Sequence, residues 1–191
     1  MLKWLLSLVL LAGCSTPPEM PVPPPGAAVP TFAFAQAAEP RTLDPGQITD
    51  VHSGFLASNL FEGLLVWDVR GEDLVPGAAA SWQVSDDGLI WTFALRPEAV
   101  WSNGDPVTAN DFVLAWRRVL DPSFGSAYAS LLYPIAGARG LGEGTEVDPH
   151  TLKVEARDRH TLQVTLEAPT PWFPQLLAHH VMAPVNGRAV K

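Results

Sequence analysis

The sequence predicts a mixed α/β domain, and three patterns along the chain support that class. Apolar side chains recur at i, i+3, i+4 and i+7 within residues 112–119, which is the spacing of one face of a helix. Residues 89–95 alternate between apolar and more polar side chains, as a half-buried strand does, and two further alternating runs flank a polar turn at residues 157–160. Helices and strands follow no regular strand–helix–strand order, so α/β and α+β arrangements both stay open.

The composition limits the size of the fold and the class of function. With 191 residues the chain makes one ordinary domain or a piece of a larger one. The 12 Lys and Arg residues against 20 Asp and Glu argue against a nucleic-acid binder, because phosphate contacts need basic clusters. A single cysteine excludes a disulfide within the chain and any zinc site built from several cysteines.

The N-terminus has the pattern of an export signal. Lys3 precedes an apolar run at residues 4–11 that is too short to span a bilayer as a permanent helix. The next residues resemble the box of a bacterial lipoprotein signal, with the sequence Leu11-Ala12-Gly13-Cys14. The resemblance implies that residues 1–13 are removed and that lipid attached to Cys14 anchors the protein to a membrane. The alternative is an ordinary signal peptide with an incidental cysteine.

A proline-rich segment begins at the cysteine. Seven of the 19 prolines lie in residues 14–30, which contain almost no large apolar side chain. This composition favours an extended polyproline-type tether that holds the globular part away from a membrane. A loop inside the fold is the alternative.

The globular part is predicted to begin near residue 31. Residues 31–36 are strand-like, and residues 43–46 are typical of a turn. A helix is predicted over residues 55–65, with Asp50 or Ser53 as its cap. Its apolar face is expected to consist of Leu56, Leu60 and Leu64.

The central part of the chain is predicted to contain a strand and then the clearest helix. Asp86 and Asp87 act as turn formers before a strand whose inward residues are Leu89, Trp91, Phe93 and Leu95. After a second turn at residues 102–106, Thr108 and Asp111 form a capping box for a helix. That helix ends at Asp121-Pro122, and its buried face comprises Phe112, Ala115, Trp116 and Val119.

The C-terminal part is predicted to form a hairpin and a short helix. Residues 151–156 and 161–167 alternate, with the inward side chains Leu152, Val154, Leu162, Val164 and Leu166. Thr170 and Pro171 then open a short helix as N-cap and first residue. This helix is expected to bury Phe173, Leu176 and Leu177.

No motif for catalysis or for cofactor binding is visible in the sequence. The chain has no Gly-x-Ser-x-Gly elbow, no Gly-x-x-x-x-Gly-Lys phosphate loop and no dinucleotide fingerprint. His179 and His180 are adjacent, so on a helix their side chains would point about 100° apart and would not share a metal site. His52, His150 and His160 are isolated in sequence. We therefore expect a protein that is not an enzyme and that holds neither a cofactor nor a metal.

Tryptophan is abundant after the predicted signal. Trp91 and Trp116 lie on predicted core faces, so packing is the preferred role for most members of this group. An aromatic platform for a carbohydrate or another ligand is the alternative. The group comprises Trp67, Trp82, Trp91, Trp101, Trp116 and Trp172.

Several motifs between residues 43 and 184 lie in an order and spacing typical of one family. They include Leu60-Phe61-Glu62-Gly63-Leu64-Leu65-Val66-Trp67 and Gly104-Asp105-Pro106-Val107-Thr108-Ala109, which Asp111-Phe112-Val113 continues. These motifs resemble the opening of the oligopeptide and dipeptide substrate-binding proteins of ABC importers, the bacterial extracellular solute-binding proteins of family 5.

The resemblance implies a periplasmic binding protein-like class II fold, which in the full family is bilobed and closes on its ligand. Residues 31–61 then correspond to the first segment of the larger lobe, and residues 62–191 to the smaller accessory domain. Full chains of the family are longer. The resemblance therefore implies that this chain is an N-terminal fragment or a truncated gene product, which ends before the second lobe.

The resemblance also implies where a ligand is held. In the family, a peptide is bound as an added strand by main-chain hydrogen bonds. Thr49, Asp50 and Val51 fall where the first lobe supplies those contacts, although this stretch does not share the family's residue types. Tyr128 matches a tyrosine that reaches the peptide from the accessory domain, and simple packing of its ring is the alternative. The residues that grip the peptide termini are expected beyond Lys191.

The function implied is that of a lipid-anchored substrate-binding component of an ABC-type peptide importer, located in the periplasm or otherwise outside the cytoplasm. It captures oligopeptides and delivers them to a membrane permease, while ATPase subunits hydrolyse ATP and nucleic acid plays no part. The alternatives are a family member that binds a nickel chelate, an opine or an oligosaccharide, and an envelope lipoprotein without a transport role. With half of the cleft missing, the chain by itself is expected not to bind peptide measurably.

Overall fold

The structure is a computed structural model that describes residues 34–190. The chain divides into two units, residues 1–36 and 37–191, and every described helix and strand belongs to the second. The predicted signal, the lipid site at Cys14 and the tether all lie outside the described residues and stay predictions. Residues 34–36, the described end of the predicted first strand, have no regular secondary structure. Within the described range, no helix is both long and apolar enough to cross a membrane.

The second unit contains helices and strands in mixed order. The regular elements of residues 37–190 are α1 Val51–Leu60, β1 Leu65–Trp67, β2 Leu74–Pro76, β3 Ala79–Val84, β4 Ile90–Leu95, α2 Ala109–Leu120, α3 Ala138–Gly142, β5 Val154–Ala156, β6 Thr161–Thr165 and α4 Phe173–Leu177. Short 3₁₀ turns occur at Ala129–Leu132, Pro149–Thr151 and His180–Met182.

The main sheet has four antiparallel strands in the order β3-β4-β6-β5, and β1 pairs with β2 in a separate hairpin. Strand β6 joins β4 with Phe93 opposite Leu162 and Trp91 opposite Val164. These four side chains are buried and form the inner face of the sheet. The mixed class and the hairpin at residues 157–160 are therefore confirmed. Of the predicted inward face of β4, Trp91, Phe93 and Leu95 are buried, while Leu89 lies before the strand and is half-buried.

Helix α2 packs across the sheet at β5 and β6. Its capping box is present, because the Thr108 N–H donates to Asp111 Oδ2 at 2.8 Å. The four residues predicted for its inner face are all buried, and the Trp116 indole N–H donates to the carbonyl of Met182 at 2.9 Å. The helix ends at Leu120, immediately before Asp121-Pro122, as predicted.

The bounds predicted for α1 are wrong at both ends. The helix begins at Val51, because the Asp50 carboxylate caps it by accepting a hydrogen bond from the Ser53 N–H at 2.9 Å. It ends at Leu60, and the next residue, Phe61, is extended. Leu64 is buried but lies outside the helix, while Leu60 is 62% exposed. Leu60 and Leu64 therefore do not form a buried apolar face of the helix, as had been predicted for them.

Two smaller boundaries also differ from the prediction. Helix α4 begins at Phe173, and its N-cap residue is Trp172 instead of the predicted Thr170. The Thr170 hydroxyl donates to the carbonyl of Ala168, so it does not cap the helix. Strand β5 begins at Val154, because Pro149–Thr151 forms a 3₁₀ turn. The turn role of Asp87 is confirmed, since its carboxylate accepts from the Leu89 N–H at 3.0 Å.

Candidate functional site

The three residues predicted to contact a ligand strand lie at the start of α1. Thr49 is exposed, Asp50 has the extended φ and ψ of −120° and 155°, and Val51 is 83% exposed. The hydrogen bond from the Ser53 N–H and a second from the Ser53 hydroxyl hold the pKa of Asp50 below its ordinary value. The Asp50 side chain is thus an ionised helix cap, and the main chain is what this segment offers to a ligand.

The main chain of Thr49 is open. Within residues 34–190 no hydrogen bond to its N–H or its carbonyl is found. Thr49 is exposed and precedes the extended Asp50, and unpaired N–H and C=O groups in such a position are a template on which another strand can pair. The segment therefore has the chemistry that strand addition requires.

The turn that precedes this segment, residues 44–47, is held by contacts with α2 and with the loop that follows α2. The Arg118 guanidinium forms a two-pronged ion pair with the Asp44 carboxylate, with nitrogen–oxygen distances of 2.9 and 2.5 Å. Ser126 Oγ donates to the carbonyl of Gly46 at 2.6 Å. The same guanidinium lies 4.0 Å from the centre of the Phe124 ring. These contacts hold the turn, and with it the start of α1, in one place.

Three aromatic side chains meet beside this turn and form what we call the ring cluster: Tyr128, His179 and His180. The Tyr128 ring lies 5.2 Å from the His179 ring and 5.9 Å from the His180 ring, both edge to face. The two imidazoles are 4.1 Å apart. The prediction that the two histidines diverge was wrong because His179 is not helical, with φ −81° and ψ 140°. Tyr128 is half-buried, so one part of its ring reaches solvent.

The hydrogen-bond partner of each imidazole shows which ring nitrogen carries the proton. His180 Nδ1 lies 2.9 Å from the carbonyl of Pro45, and a carbonyl only accepts, so His180 Nδ1 carries the proton. His179 Nδ1 accepts from the Val181 N–H at 3.2 Å, so its proton sits on Nε2. The second ring nitrogens are therefore an N–H donor on His179 and an acceptor on His180. This is the same donor and acceptor pair that a peptide group complements.

Burial makes His179 a neutral base over most of the physiological range. Loss of solvent and the neighbouring His180 lower the pKa of His179 to about 4. Both imidazoles line a cavity of about 290 Å³ that α1 also borders through Gly54, Ala57 and Ser58. The ring cluster thus joins the 44–47 turn, the 179–180 segment and a cavity along α1.

We expect the stability of the protein to fall between pH 6.5 and pH 4 because of His179. The unfolded chain binds a proton on this imidazole below about pH 6.5, while the folded chain does so only near pH 4, so acid favours unfolding. The side chain is half-exposed, which reduces the effect to about 1 kcal/mol at pH 5. Urea unfolding at pH 7.5 and pH 5 measures it.

The matched variant for this measurement is His179→Asn, whose amide oxygen can replace Nδ1 as the acceptor for the Val181 N–H. The variant should lose less stability than the natural chain on the same pH step, because it lacks the imidazole that burial keeps neutral in the folded state. An equal loss in the two proteins would contradict the assignment to His179.

Over residues 34–190, no group of three His, Cys, Asp or Glu side chains lies close enough together to hold an ion. What the arrangement offers is an aromatic surface, a donor and acceptor pair and an open main chain, which are the elements of recognition by shape and hydrogen bonding.

Sequence reasoning did not find most of the contacts that build the site. Asp44 and Arg118 are 74 residues apart, and Pro45 and His180 are 135 residues apart, so no local pattern connects them. The adjacency of His179 and His180 was the one visible signal, and the helix assumed for them led to the wrong geometry.

Comparison with known proteins shows which protein family matches this chain. The sequence model of the bacterial extracellular solute-binding proteins, family 5 Middle, matches residues 73–191, which is more than half of the chain. The periplasmic oligopeptide-binding protein OppA of Escherichia coli K12 is 44% identical over 164 residues, covering 84% of this chain and 30% of that protein. The probable deoxycholate-binding periplasmic protein YgiS of the same organism is 38% identical over 186 residues, covering 96% of this chain and 34% of that protein.

A solved structure agrees with these sequence matches. Haemophilus influenzae OppA in complex with the peptide RPPGFSPFR superposes with a TM-score of 0.76 and 42% identity, over 80% of this chain and 30% of that one. The chain spans about a third of the length of the curated relatives described above, 30% and 34% respectively. The class of fold expected from the motifs is confirmed by this structural match.

Proposed function

We propose that this chain, which belongs to the bacterial extracellular solute-binding proteins of family 5, forms one wall of a peptide-binding cleft in the substrate-binding component of an ABC-type importer. The observation that carries the proposal is the unpaired main chain of the exposed Thr49, in a segment that follows the turn bonded to the ring cluster through Pro45. The chain then acts by binding and not by catalysis.

Strand addition explains how such a wall holds peptides of many sequences. The main chain of Thr49 pairs with the main chain of the ligand, which every peptide presents in the same form. The ion pair of Asp44 with Arg118 holds the 44–47 turn before the ligand arrives, so little entropy is lost on binding. Side chains of the ligand then make adaptable contacts, including contacts through water.

Tyr128 is the side chain through which the accessory part takes hold of the ligand. Its ring is already packed against His179 and His180, so placing it against a peptide costs little rotamer freedom. The phenol group keeps a hydrogen-bonding end beside an apolar face, which suits a surface that is wet on one side. The donor and acceptor nitrogens of the two histidines support the same role.

The relatives named above support a peptide as the ligand and a location outside the cytoplasm. OppA of E. coli is a periplasmic oligopeptide-binding protein, and the H. influenzae protein was solved with a nine-residue peptide. By extension this chain would work outside the cytoplasm, deliver peptide to a permease whose ATPase subunits hydrolyse ATP, and be held to a membrane by lipid on Cys14.

A chimera tests the proposal, because a complete cleft needs both walls. Residues 37–190 replace the matching segment of E. coli OppA, and binding of tri- and tetraalanine is measured by calorimetry. The folded chimera is expected to bind with a micromolar or lower Kd, and the 191-residue chain alone is expected to give no heat. Tyr128→Ala in the chimera should weaken binding about tenfold.

The control is Tyr133→Ala, since Tyr133 is the second of the two tyrosines and its ring packs under Arg139 at 4.9 Å instead of joining the ring cluster. It should leave the peptide Kd unchanged. A folded chimera that binds neither peptide would refute the proposal. The second candidate ligand, favoured by the name of YgiS, is an amphipathic anion, so a chimera that responds to deoxycholate and to no peptide would select it.

A further inference from the structure

A second cavity lies along the C-terminal half of α2 and is separate from the ring cluster. Its volume is about 930 Å³, within the range of sites for small ligands. It shares no lining residue with the 290 Å³ cavity beside the two histidines. Its apolar walls are Leu114, Leu120, Leu141, Val147, Pro149 and Val190.

These walls leave apolar side chains in water. Leu114 on α2 is 39% exposed, and Val147, which also lines the cavity, is 88% exposed. Covering such surface gains about 25 cal/mol for each Å² removed from water. A ligand with an apolar body of moderate size would bind this groove for that reason.

One cation in the cavity wall has no partner. Arg117 makes no ion pair within residues 34–190, and its Nε–H is buried without a hydrogen bond. A buried donor without an acceptor is unfavourable, and a guanidinium binds carboxylates with two parallel hydrogen bonds. Arg118, the neighbouring basic residue, is already paired with Asp44.

The acidic groups of the same wall are already engaged with their own loops. The Asp121 carboxylate accepts from the N–H and the hydroxyl of Ser123 at 2.8 and 2.7 Å. The Glu146 carboxylate accepts from the N–H groups of Val147 and Asp148 at 2.7 and 2.8 Å. Neither acid forms an ion pair with Arg117, so the Arg117 guanidinium stays available to an anion that enters the cavity.

We propose that this cavity is a second ligand site, which takes a small amphipathic carboxylate. The carboxylate binds the Arg117 guanidinium, and an aliphatic or fused-ring body lies against Leu114, Leu141 and Val147. This ligand is recognised by the opposite charges of its carboxylate and of Arg117. A peptide strand, by contrast, is proposed to bind through its main chain at Thr49. The inference does not depend on the proposed peptide function.

Decanoate is the probe, used below its micelle concentration with the full chain. Calorimetry should give a Kd below about 100 μM, and amide signals of residues 114, 141 and 147 should shift in ¹H–¹⁵N spectra. Arg117→Gln should weaken binding at least tenfold, because it removes the charged donor. Val147→Asp, at a position exposed enough to spare the fold, should weaken it similarly by repelling the carboxylate.

Arg159→Gln is the control, since Arg159 is an exposed arginine that borders a different cavity. It should leave the decanoate Kd unchanged. Equal binding by the Arg117→Gln chain would overturn the proposal, as would equally tight binding of decyltrimethylammonium, which has the opposite charge. Loss of decanoate binding in the OppA chimera would also overturn it, because the cavity would then be a surface that further polypeptide covers.

Discussion

Replacing Trp116 with alanine is expected to lower the free energy of unfolding by about 4 kcal/mol. The side chain is fully buried at the centre of the core between α2 and the sheet, and its ring meets that of Phe112 edge to face at 6.2 Å. Truncation leaves a large cavity, because neighbouring helices and strands relax only partly. It also leaves the carbonyl of Met182 without its indole donor.

The matched control is Trp172→Ala, which removes the same side chain from a position that is 60% exposed. Its cost is expected to stay below about 1 kcal/mol. Urea unfolding followed by circular dichroism measures both variants. Similar midpoints for the two would mean that the core does not depend on Trp116.

Substituting Gly137 by alanine is expected to destabilise the protein by more than about 3 kcal/mol or to prevent folding. The residue has a φ of +80°, which L side chains rarely adopt. An added Cβ would lie 2.3 Å from the carbonyl oxygen of Thr151, a backbone atom that cannot move aside. This close approach is where the start of α3 packs on the segment leading into β5, so relief of the clash would separate the two.

Gly104→Ala separates the clash from the backbone strain. Gly104 has nearly the same φ, +84°, but nothing lies within 4 Å of an added Cβ. Its substitution should cost only the strain of a left-handed L residue, about 1 kcal/mol. Thermal and urea unfolding of both variants give the comparison, and equal losses would show that the contact with Thr151 is not the reason for glycine at 137.

Elements with a strong local pattern were predictable from the sequence. Helix α2 has its capping box and an apolar face within twelve residues, and the hairpin of β5 and β6 alternates on both sides of a polar turn. In these segments the buried positions repeat with the period of the helix or strand, so the pattern of apolar residues predicts the secondary structure. The inward faces of α2 and β6 match the prediction for this reason.

Elements whose burial does not follow a period were missed or were predicted with the wrong bounds. Strand β3 buries only Ala79 fully and exposes most of the rest, so it has no alternation to find. Helix α1 buries the small residues Ser53 and Ala57 while Val51 and Leu60 are exposed, which is the reverse of an apolar stripe. Its start depends on one side chain, that of Asp50, and not on hydrophobic spacing.

The candidate site likewise has one part that the sequence predicts and another that only the tertiary structure shows. By itself the sequence determined the family motifs, and through them Thr49, Asp50, Val51 and Tyr128 as ligand contacts that stay predictions. Tertiary structure alone decided that the Asp44 turn meets Arg118 and that His180 bonds to Pro45 beside Tyr128. Partners 74 and 135 residues apart are chosen by the packing of α2 and the sheet, and short-range patterns in a single sequence carry no record of that packing.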